Sequence, residues 1–280
     1  GVKMIYFVDV QGTLISDSDK SPIYGSKNLI RYFNTHNIPY MVITNNTKAK
    51  SSDFLANLKS KGLDIRPDAY IDPFCVLDDV CKPCSAALFG APQFIKTMDE
   101  LGYTQDFSSP KAVIIASYDA FSFDDFAKMI ELVQKGAKLI AMHATSTYKK
   151  NGKLYPGVGA IASMIEYATG IKAAVVGKPS ELFYRTALIK ASKQLSSKEI
   201  LYQNLHEGMA QSSEFMDFSS VSIISDDAKG DLLGAKELGM QTILVLSGKV
   251  DKLENAGVRS SAINYTFGNV GRFLESIEDE

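Results

Sequence analysis

Residues Ile5 to Leu14 read IYFVDVQGTL. Four apolar residues lead into Asp9, and a short polar turn with a glycine follows. An apolar run of this kind predicts a buried strand, and an aspartate at the end of such a strand is a candidate nucleophile. Two residues further on, where a second carboxylate would supply a proton, the chain has Gln11. The sequence therefore raises the question of what chemistry this turn supports without that acid.

Apolar runs that end in polar or glycine residues recur along the chain and alternate with segments of helical periodicity. Leu29, Ile30 and Phe33 form one apolar stripe at helical spacing. A second such stripe ends shortly before Gly136, where a helix should end. This alternation predicts an α/β protein with parallel sheets of the doubly wound kind. The predicted strands are Met4–Val8, Tyr40–Ile43, Ala112–Ala116, Leu139–Met142, Ala173–Val176, Val221–Ile224, Thr242–Leu246 and Asn264–Phe267.

Length, composition and charge exclude several classes of protein. The 280 residues suggest about two domains at roughly 150 residues each. Hydrophobic residues make up 45% and charged residues 22%, as in an ordinary globular protein, and a net charge of -2 gives no electrostatic reason to expect nucleic acid or membrane as a partner. No apolar run approaches the roughly 18 residues of a membrane span, and the start GVKMIYFVD is too short and too soon acidic for a signal peptide. We therefore expect a cytoplasmic protein.

Three cysteines occur close together, at Cys75, Cys81 and Cys84, and the last two form a C-x-x-C motif. A zinc site needs four ligands and a second pair is missing from the sequence, while a thioredoxin-like motif should follow a strand rather than VLDDV. We favour reduced, partly buried thiols over a redox or metal site.

Polar residues suited to phosphate chemistry follow four of the predicted strands. They are Asp9, then Thr44 and Asn45, then Lys178, and then Asp226, Asp227 and Asp231. Taken singly, each has an ordinary explanation as a helix cap, a solvated charge or a first-turn acid. Ligands bind at the carboxyl ends of the strands in an open α/β sheet, and all of these residues are expected there. Together they predict a phosphate and Mg²⁺ site.

The residue types fit the chemistry of phosphoryl transfer. A carboxylate that attacks a phosphate dianion meets charge repulsion, which a bridging Mg²⁺ neutralises, and hard oxygen ligands suit that ion. Asp9 and Asp226 are the predicted metal ligands, supported by Asp231 or Asp227, and Asp9 would form an aspartyl phosphate.

Three further residues are predicted to bind the phosphoryl group itself. Thr44 and the backbone N–H groups around Asn45, at an expected helix start, would hold the phosphoryl oxygens. Lys178 would pair with both the phosphate and Asp9.

These four stretches, in this order, resemble the four motifs of the haloacid dehalogenase superfamily. TNN, GKPS and TILVLSG resemble its class IIA branch, the NagD-like and p-nitrophenyl phosphatase-like proteins. The resemblance covers nearly the whole chain. It implies a Rossmann-like core of residues 1–66 and 175–280, with an α/β cap inserted at 67–174. It also implies Mg²⁺ and the hydrolysis of a small phosphomonoester, and it leaves open whether the protein forms a homodimer.

The chain departs from the family pattern in two places. Family phosphatases usually have aspartate where this chain has Gln11, and Gly-Asp-Asn where it has Ser225, Asp226 and Asp227. The first change removes the residue that protonates the leaving oxygen and then activates water. The family's metal contact there is a backbone carbonyl, which Gln11 retains, so we expect Mg²⁺ to bind and turnover to be low. The alternative is a non-hydrolytic phosphometabolite-binding or regulatory protein of the same fold.

Two segments between residues 143 and 162 contain further candidate motifs. His143 and Thr145 resemble the family's substrate-facing segment, and a histidine there is able to donate a proton, although a polar cap of a strand end explains it more simply. GVGAIA, Gly157 to Ala162, fits a dinucleotide-binding pattern, but the preceding KKNGKLYP does not read as a strand. We interpret GVGAIA as the glycine-rich start of a cap helix.

Overall fold

The computed structural model describes residues 4–195 and 217–278, and the chain divides into two compact units. Unit 1 comprises Gly1–Thr44, Leu55–Ile71 and Tyr184–Glu280, and unit 2 comprises Asn45–Phe54 and Asp72–Phe183. Both units have parallel sheets and helices, so the predicted α/β class is confirmed. The assignment of residues 67–174 as an inserted cap stays a prediction.

The strands of the described residues are numbered in chain order. They are β1 Ile5–Asp9, β2 Tyr40–Ile43, β3 Tyr70–Ile71, β4 Ser85–Phe89, β5 Thr104–Gln105, β6 Ala112–Ile115, β7 Lys138–Ala141, β8 Thr147–Lys150, β9 Lys153–Pro156, β10 Ala174–Val175, β11 Val221–Ser225, β12 Gln241–Val245 and β13 Tyr265–Phe267. All eight predicted strands are present.

The helices of the described residues mostly separate successive strands. They are α1 Ser26–Thr35, α2 Ser51–Ser60, α3 Leu77–Val80, α4 Pro92–Glu100, α5 Phe123–Gln134, α6 Val158–Thr169, α7 Glu181–Ser192, α8 Leu233–Glu237 and α9 Val270–Glu278. Gly136, with φ of 109°, follows the end of α5, where the sequence predicts a stop. No helix in the described part of the chain is both long and apolar enough to cross a membrane.

Unit 1 contains a six-stranded parallel sheet in the order β13-β12-β11-β1-β2-β3. β1 lies in the middle, paired with β11 on one side and β2 on the other. Its neighbours are nearly continuous apolar runs because helices cover both faces of such a sheet. Val8 pairs with Ile224 and Asp9 pairs with Ile43, so the residues that follow β1, β2 and β11 lie at one edge.

Unit 2 contains a second parallel sheet in the order β10-β7-β6-β4-β5 and a separate antiparallel hairpin, β8-β9. Side chains from β4, β6 and β7 pack against α5 and α6 in one buried apolar cluster, which includes Val113, Met129, Leu139 and Ile161. The expectation that KKNGKLYP is not a strand is wrong, because Lys153–Pro156 pair with β8. Both strands of this hairpin are largely exposed, which leaves them without an apolar signal.

The interpretation of GVGAIA as the start of a helix is confirmed, since α6 begins directly after Gly157. A Cβ on Gly157 would lie 2.1 Å from the carbonyl oxygen of Thr145, and one on Gly159 would lie 2.5 Å from that of Ala144. The glycines therefore let the 144–146 loop approach the first turn of α6. The N–H groups of Gly157 and Gly159 donate to carbonyls of that loop, which removes the donors that a dinucleotide phosphate would use.

Candidate active site

Asp9, the last residue of β1, and Asp226, the first residue after β11, form a buried pair of carboxyl groups in unit 1. Asp9 is 6% exposed and Asp226 is 2% exposed. Burial raises the pKa of the Asp226 carboxyl well above its ordinary range, and the charge of Asp9 and hydrogen bonding with it raise this pKa further. Asp9 ends one buried strand and Asp226 follows another strand of the same parallel sheet, which is why the predicted pair comes together.

Thr13 connects these two carboxyl groups. Its hydroxyl oxygen lies 3.2 Å from Asp9 Oδ2 and 3.4 Å from Asp226 Oδ1, and it accepts the backbone N–H of Asp226 at 3.1 Å. The turn after β1 places the hydroxyl, because the carbonyl of Val10 accepts the N–H groups of Thr13, Leu14 and Ile15. Thr13 is fully buried, so this hydroxyl is a fixed part of the site.

Two glycines make room for the Asp226 side chain. Gly12 has a φ of 78°, and a Cβ there would lie 2.2 Å from Asp226 Oδ2. A Cβ on Gly248 would lie 2.1 Å from the same oxygen. Any larger residue at either position would displace the carboxylate, and Gly12 would also be strained.

Asp231 lies beside this pair and is held by Ser225. The Ser225 hydroxyl donates to Asp231 Oδ2 at 2.7 Å and lies 3.5 Å from Asp9 Oδ2. It also accepts the backbone N–H of Asp227 at 3.0 Å. The structure thus brings together Asp9, Asp226 and Asp231, three of the four predicted metal-binding residues. Gln11, the fourth, was predicted to contribute its backbone carbonyl, which stays a prediction, and the residue is exposed in the turn after β1.

The donor set at Asp9 and Asp226 fits Mg²⁺. Two buried carboxylates repel each other, and a small divalent cation that prefers oxygen ligands offsets that repulsion. Within residues 4–195 and 217–278, no group of three or more His, Cys, Asp or Glu side chains is spaced to hold a metal ion. Asp9 and Asp226 supply two buried carboxylates, and Mg²⁺ usually keeps several waters besides its protein ligands.

Asn45, Lys178, His143 and Thr145 form a separate cluster in unit 2. Asn45 Oδ1 accepts the backbone N–H of Lys178 at 2.9 Å, and its Nδ2 lies 3.4 Å from Thr145 Oγ1. His143 is buried, and its Nδ1 accepts the backbone N–H of Thr145 at 3.3 Å. Asn45 thus links the segment of Lys178 to the 143–145 loop.

The expected helix start at Asn45 is wrong, because α2 begins only at Ser51. Asn46 holds the intervening residues in a turn instead: its Oδ1 accepts the N–H of Lys48 at 3.2 Å and its Nδ2 donates to the carbonyl of Ala49 at 2.8 Å. Such local side-chain bonds compete with helix formation. In unit 1, the N–H of the buried Thr44 donates to the carbonyl of Ile71 at 3.2 Å.

Two family models match the chain, one described as haloacid dehalogenase-like hydrolase over residues 6–104 and one as HAD-hydrolase-like over residues 175–266. Between them they include Asp9, Thr44, Lys178 and Asp226. The chain belongs to the haloacid dehalogenase superfamily. The family predicted from the four motifs is therefore confirmed.

Curated relatives in this superfamily match over most of their length. Dihydroxyacetone phosphatase of Corynebacterium glutamicum strain R is 26% identical over 257 residues, which are 90% of this chain and 84% of the relative. Acid sugar phosphatase of Staphylococcus aureus strain USA300 is 23% identical over 278 residues, 98% of this chain and 97% of the relative.

Solved structures of haloacid dehalogenase-like proteins share the fold. The p-nitrophenyl phosphatase from Archaeoglobus fulgidus has a TM-score of 0.76 at 20% identity and covers 99% of this chain and 100% of its own. NagD from E. coli K-12 has a TM-score of 0.72 at 22% identity and covers 96% of this chain and 97% of its own. The likeness extends over both units and supports the predicted α/β fold.

Three residues that shape the site of this haloacid dehalogenase-like chain were not predicted from its sequence: Thr13, Ser225 as a hydrogen-bond donor, and Lys249. Thr13 and Ser225 adjoin the predicted aspartates, so their proximity was an available signal. Lys249 follows β12, and a cation just beyond the carboxyl end of a strand is the same signal that led to Lys178.

Proposed function

We propose that this chain is a Mg²⁺-dependent phosphatase that acts on small phosphorylated metabolites through an aspartyl phosphate on Asp9. The chain is a phosphoric monoester hydrolase, since its family is described as a hydrolase and its curated relatives are phosphatases by name. The observation that carries the finer proposal is the buried pair of Asp9 and Asp226 at one edge of the parallel sheet.

Asp9 is the proposed nucleophile. One of its carboxylate oxygens attacks the phosphorus of the substrate, and a new P–O bond forms as the ester P–O bond breaks. The leaving oxygen takes up a proton from solvent. Water then attacks the phosphorus of the aspartyl phosphate, which releases inorganic phosphate and restores the Asp9 carboxylate. When bound, Mg²⁺ supplies positive charge that reduces the repulsion between Asp9 and the phosphate.

The neighbours of Asp9 support this role. Thr13 and Ser225 both approach Asp9 Oδ2, which holds the carboxylate in one orientation. Fixed orientation matters because a nucleophile gains rate only when its attacking atom is already placed. The phosphate-binding roles of Thr44, Asn45 and Lys178 belong to the proposal and rest on their motif positions.

Gln11 is the basis for proposing low turnover. Its amide is able to donate a hydrogen bond but has no proton to transfer at neutral pH. General acid catalysis contributes typically about 10² to 10⁴ in rate, and the loss is largest when the leaving oxygen is strongly basic. The names of the two curated relatives suggest sugar or triose phosphates as substrates, and these have basic alkoxide leaving groups.

Gln11 also favours a second candidate function, a phosphometabolite-binding or regulatory protein that does not hydrolyse its ligand. Such a protein would keep Asp9, Asp226 and Lys178 for binding. The two functions differ in whether inorganic phosphate appears at all.

Mg²⁺-dependent release of inorganic phosphate from a panel of sugar, triose and aryl phosphates tests the proposal. We expect slow release that stops when the metal is chelated and that is abolished in Asp9→Asn. Release that survives in Asp9→Asn would contradict the proposed nucleophile. Mg²⁺-dependent binding of a phosphometabolite without any release would favour the second candidate.

A further inference from the structure

Lys249 contacts both of the acidic residues that follow β11. Its backbone N–H donates to Asp226 Oδ2 at 2.9 Å, and its ammonium group pairs with Asp227 Oδ2 at 2.7 Å. Gly248, the residue before it, approaches the same Asp226 oxygen so closely that no side chain fits there. The segment after β12 therefore packs closely against the carboxylates of Asp226 and Asp227.

Both oxygens of the Asp227 carboxylate have a partner in neighbouring segments of the chain. Oδ1 accepts the backbone N–H of Gly230 at 2.8 Å, and Oδ2 meets Lys249. The Asp227 side chain is 15% exposed and that of Lys249 is 36% exposed, so the pair is less solvated than an ordinary surface ion pair. These contacts assign Asp227 to the turn before α8 rather than to the Asp9–Asp226 pair.

Charge is the second reason to connect Lys249 with the site. Asp9, Asp226, Asp227 and Asp231 place four carboxyl groups on or just after two adjacent strands. The ammonium group of Lys249 lies 2.7 Å from Asp227 Oδ2, and its backbone N–H reaches Asp226 Oδ2 at 2.9 Å. Lys249 therefore places a positive charge directly beside this group of carboxyl groups.

We propose that Lys249 is a positioning residue of the metal site: its N–H orients Asp226, and its ammonium group neutralises Asp227 and holds it in the turn before α8. This inference rests on the proposed function, because Asp9 and Asp226 are the proposed Mg²⁺ ligands. It gives Asp227 an electrostatic role instead of the supporting ligand role that the sequence left open.

The proposal predicts the sign of each charge change. Removing only the Lys249 charge leaves Asp227 uncompensated near the site, so Mg²⁺ should bind more tightly. Removing only the Asp227 charge leaves Lys249 uncompensated, so Mg²⁺ should bind more weakly. A unit charge roughly 8 Å from a divalent cation shifts its affinity by roughly threefold to tenfold at a dielectric constant near that of water, about 80, and by more in a less polar setting. Removing both charges should restore an affinity close to that of the wild type.

The test is calorimetric titration of Mg²⁺ into the metal-free wild type, Lys249→Met, Asp227→Asn and the double variant, with Lys249→Arg as the charge-conserving control. We expect Mg²⁺ to bind more tightly to Lys249→Met, more weakly to Asp227→Asn, and with nearly wild-type affinity to the double variant. Lys249→Arg should change the affinity little. A purely structural role would weaken binding in both single variants, and a ligand role of Asp227 would leave the double variant weak. Either result overturns the inference.

The outcomes also separate this inference from the proposed function. A wild type that binds no Mg²⁺ at millimolar concentrations would overturn the proposed metal site and the role of Lys249 with it. A wild type that binds Mg²⁺, with both single variants unchanged, would overturn the role of Lys249 alone. Circular dichroism of each variant shows whether it is folded. If a neutral variant does not fold, the affinity of Lys249→Arg for Mg²⁺ still tests whether a positive charge at this position is sufficient.

Discussion

The hydroxyl oxygen of Thr13 accepts the backbone N–H of Asp226 at 3.1 Å. The two residues belong to turns after different strands, β1 and β11, and Thr13 is fully buried. The same hydroxyl lies within 3.4 Å of a carboxylate oxygen of Asp226 and closer to one of Asp9. One small side chain therefore holds both proposed metal ligands.

Thr13→Val should destabilise the protein and weaken Mg²⁺ binding, although valine has nearly the same shape. The substitution leaves the Asp226 N–H and two carboxylate oxygens without this partner, and an unsatisfied buried polar group costs about 1–3 kcal/mol. Urea denaturation measures the change in the free energy of unfolding. Thr13→Ser keeps the hydroxyl and is the matched control. Equal stability of the valine and serine variants would show that the hydroxyl is not structurally important.

Asp226→Asn should abolish Mg²⁺-dependent activity and at the same time stabilise the metal-free protein. The folded-state pKa of Asp226 is raised by burial and by Asp9, so keeping this carboxylate charged at neutral pH opposes folding. A neutral amide removes that cost, and we expect a melting temperature a few degrees higher without metal. Differential scanning calorimetry with and without Mg²⁺ measures this.

The same calorimetry provides the metal control. Millimolar Mg²⁺ should raise the melting temperature of the wild type, because a ligand that binds only the folded state stabilises it, and should leave Asp226→Asn unchanged. A metal-free Asp226→Asn protein that melts well below the wild type would contradict the expected repulsion.

Asn45→Leu should destabilise unit 2 and raise the KM for a phosphomonoester. Leucine removes the acceptor for the backbone N–H of Lys178, at 2.9 Å, and the contact with Thr145. We expect a loss of about 1–3 kcal/mol. Asn45→Asp keeps the acceptor oxygen and should be closer to the wild type in stability. If leucine and aspartate give the same stability and KM, the Asn45 side chain does not position this segment.

Lys178→Met should raise the KM for phosphomonoesters at least tenfold if Lys178 binds the phosphate as its motif implies. A charge-assisted hydrogen bond to phosphate is stronger than a neutral one, and its loss is typically worth about 1.5–3 kcal/mol. Lys190, whose ammonium group donates to the carbonyl of Tyr70, provides a control lysine in the following helix. Lys190→Met with the same KM change would show that the effect is not specific to Lys178.

The sequence predicted the buried central strands of the sheet in unit 1. β1, β2, β11 and β12 are apolar because both faces of a parallel sheet are covered, and their carboxyl ends carry Asp9, Thr44 and Asp226. Five strands of the described residues were not predicted. The short strand β5 and the hairpin β8-β9 are largely exposed and carry no apolar pattern, whereas β3 and β4 were missed although they are buried and apolar.

The contacts of Thr13 and Lys249 with the acidic residues could not be predicted from the sequence for a different reason. Thr13 reaches Asp226, and Lys249 reaches Asp227, only because of the register between β1, β11 and β12, which no local pattern records. The helix expected at Asn45 begins instead at Ser51, because the Asn46 side chain satisfies the backbone in between. At Thr13 and Lys249 the deciding contacts are tertiary, whereas at Asn46 they are local side-chain hydrogen bonds.

The central claim is that Asp9 transfers phosphate while Gln11 leaves the site without a general acid. The most direct measurement compares kcat/KM for an alkyl phosphate and an aryl phosphate in the wild type and in Gln11→Asp. We predict that Gln11→Asp raises the alkyl phosphate rate by at least about tenfold, a conservative share of the general-acid contribution, and changes the aryl phosphate rate much less. A wild type that cleaves both esters equally fast, and a Gln11→Asp variant that changes neither rate, would contradict the account and would make another group, such as His143, the source of the proton.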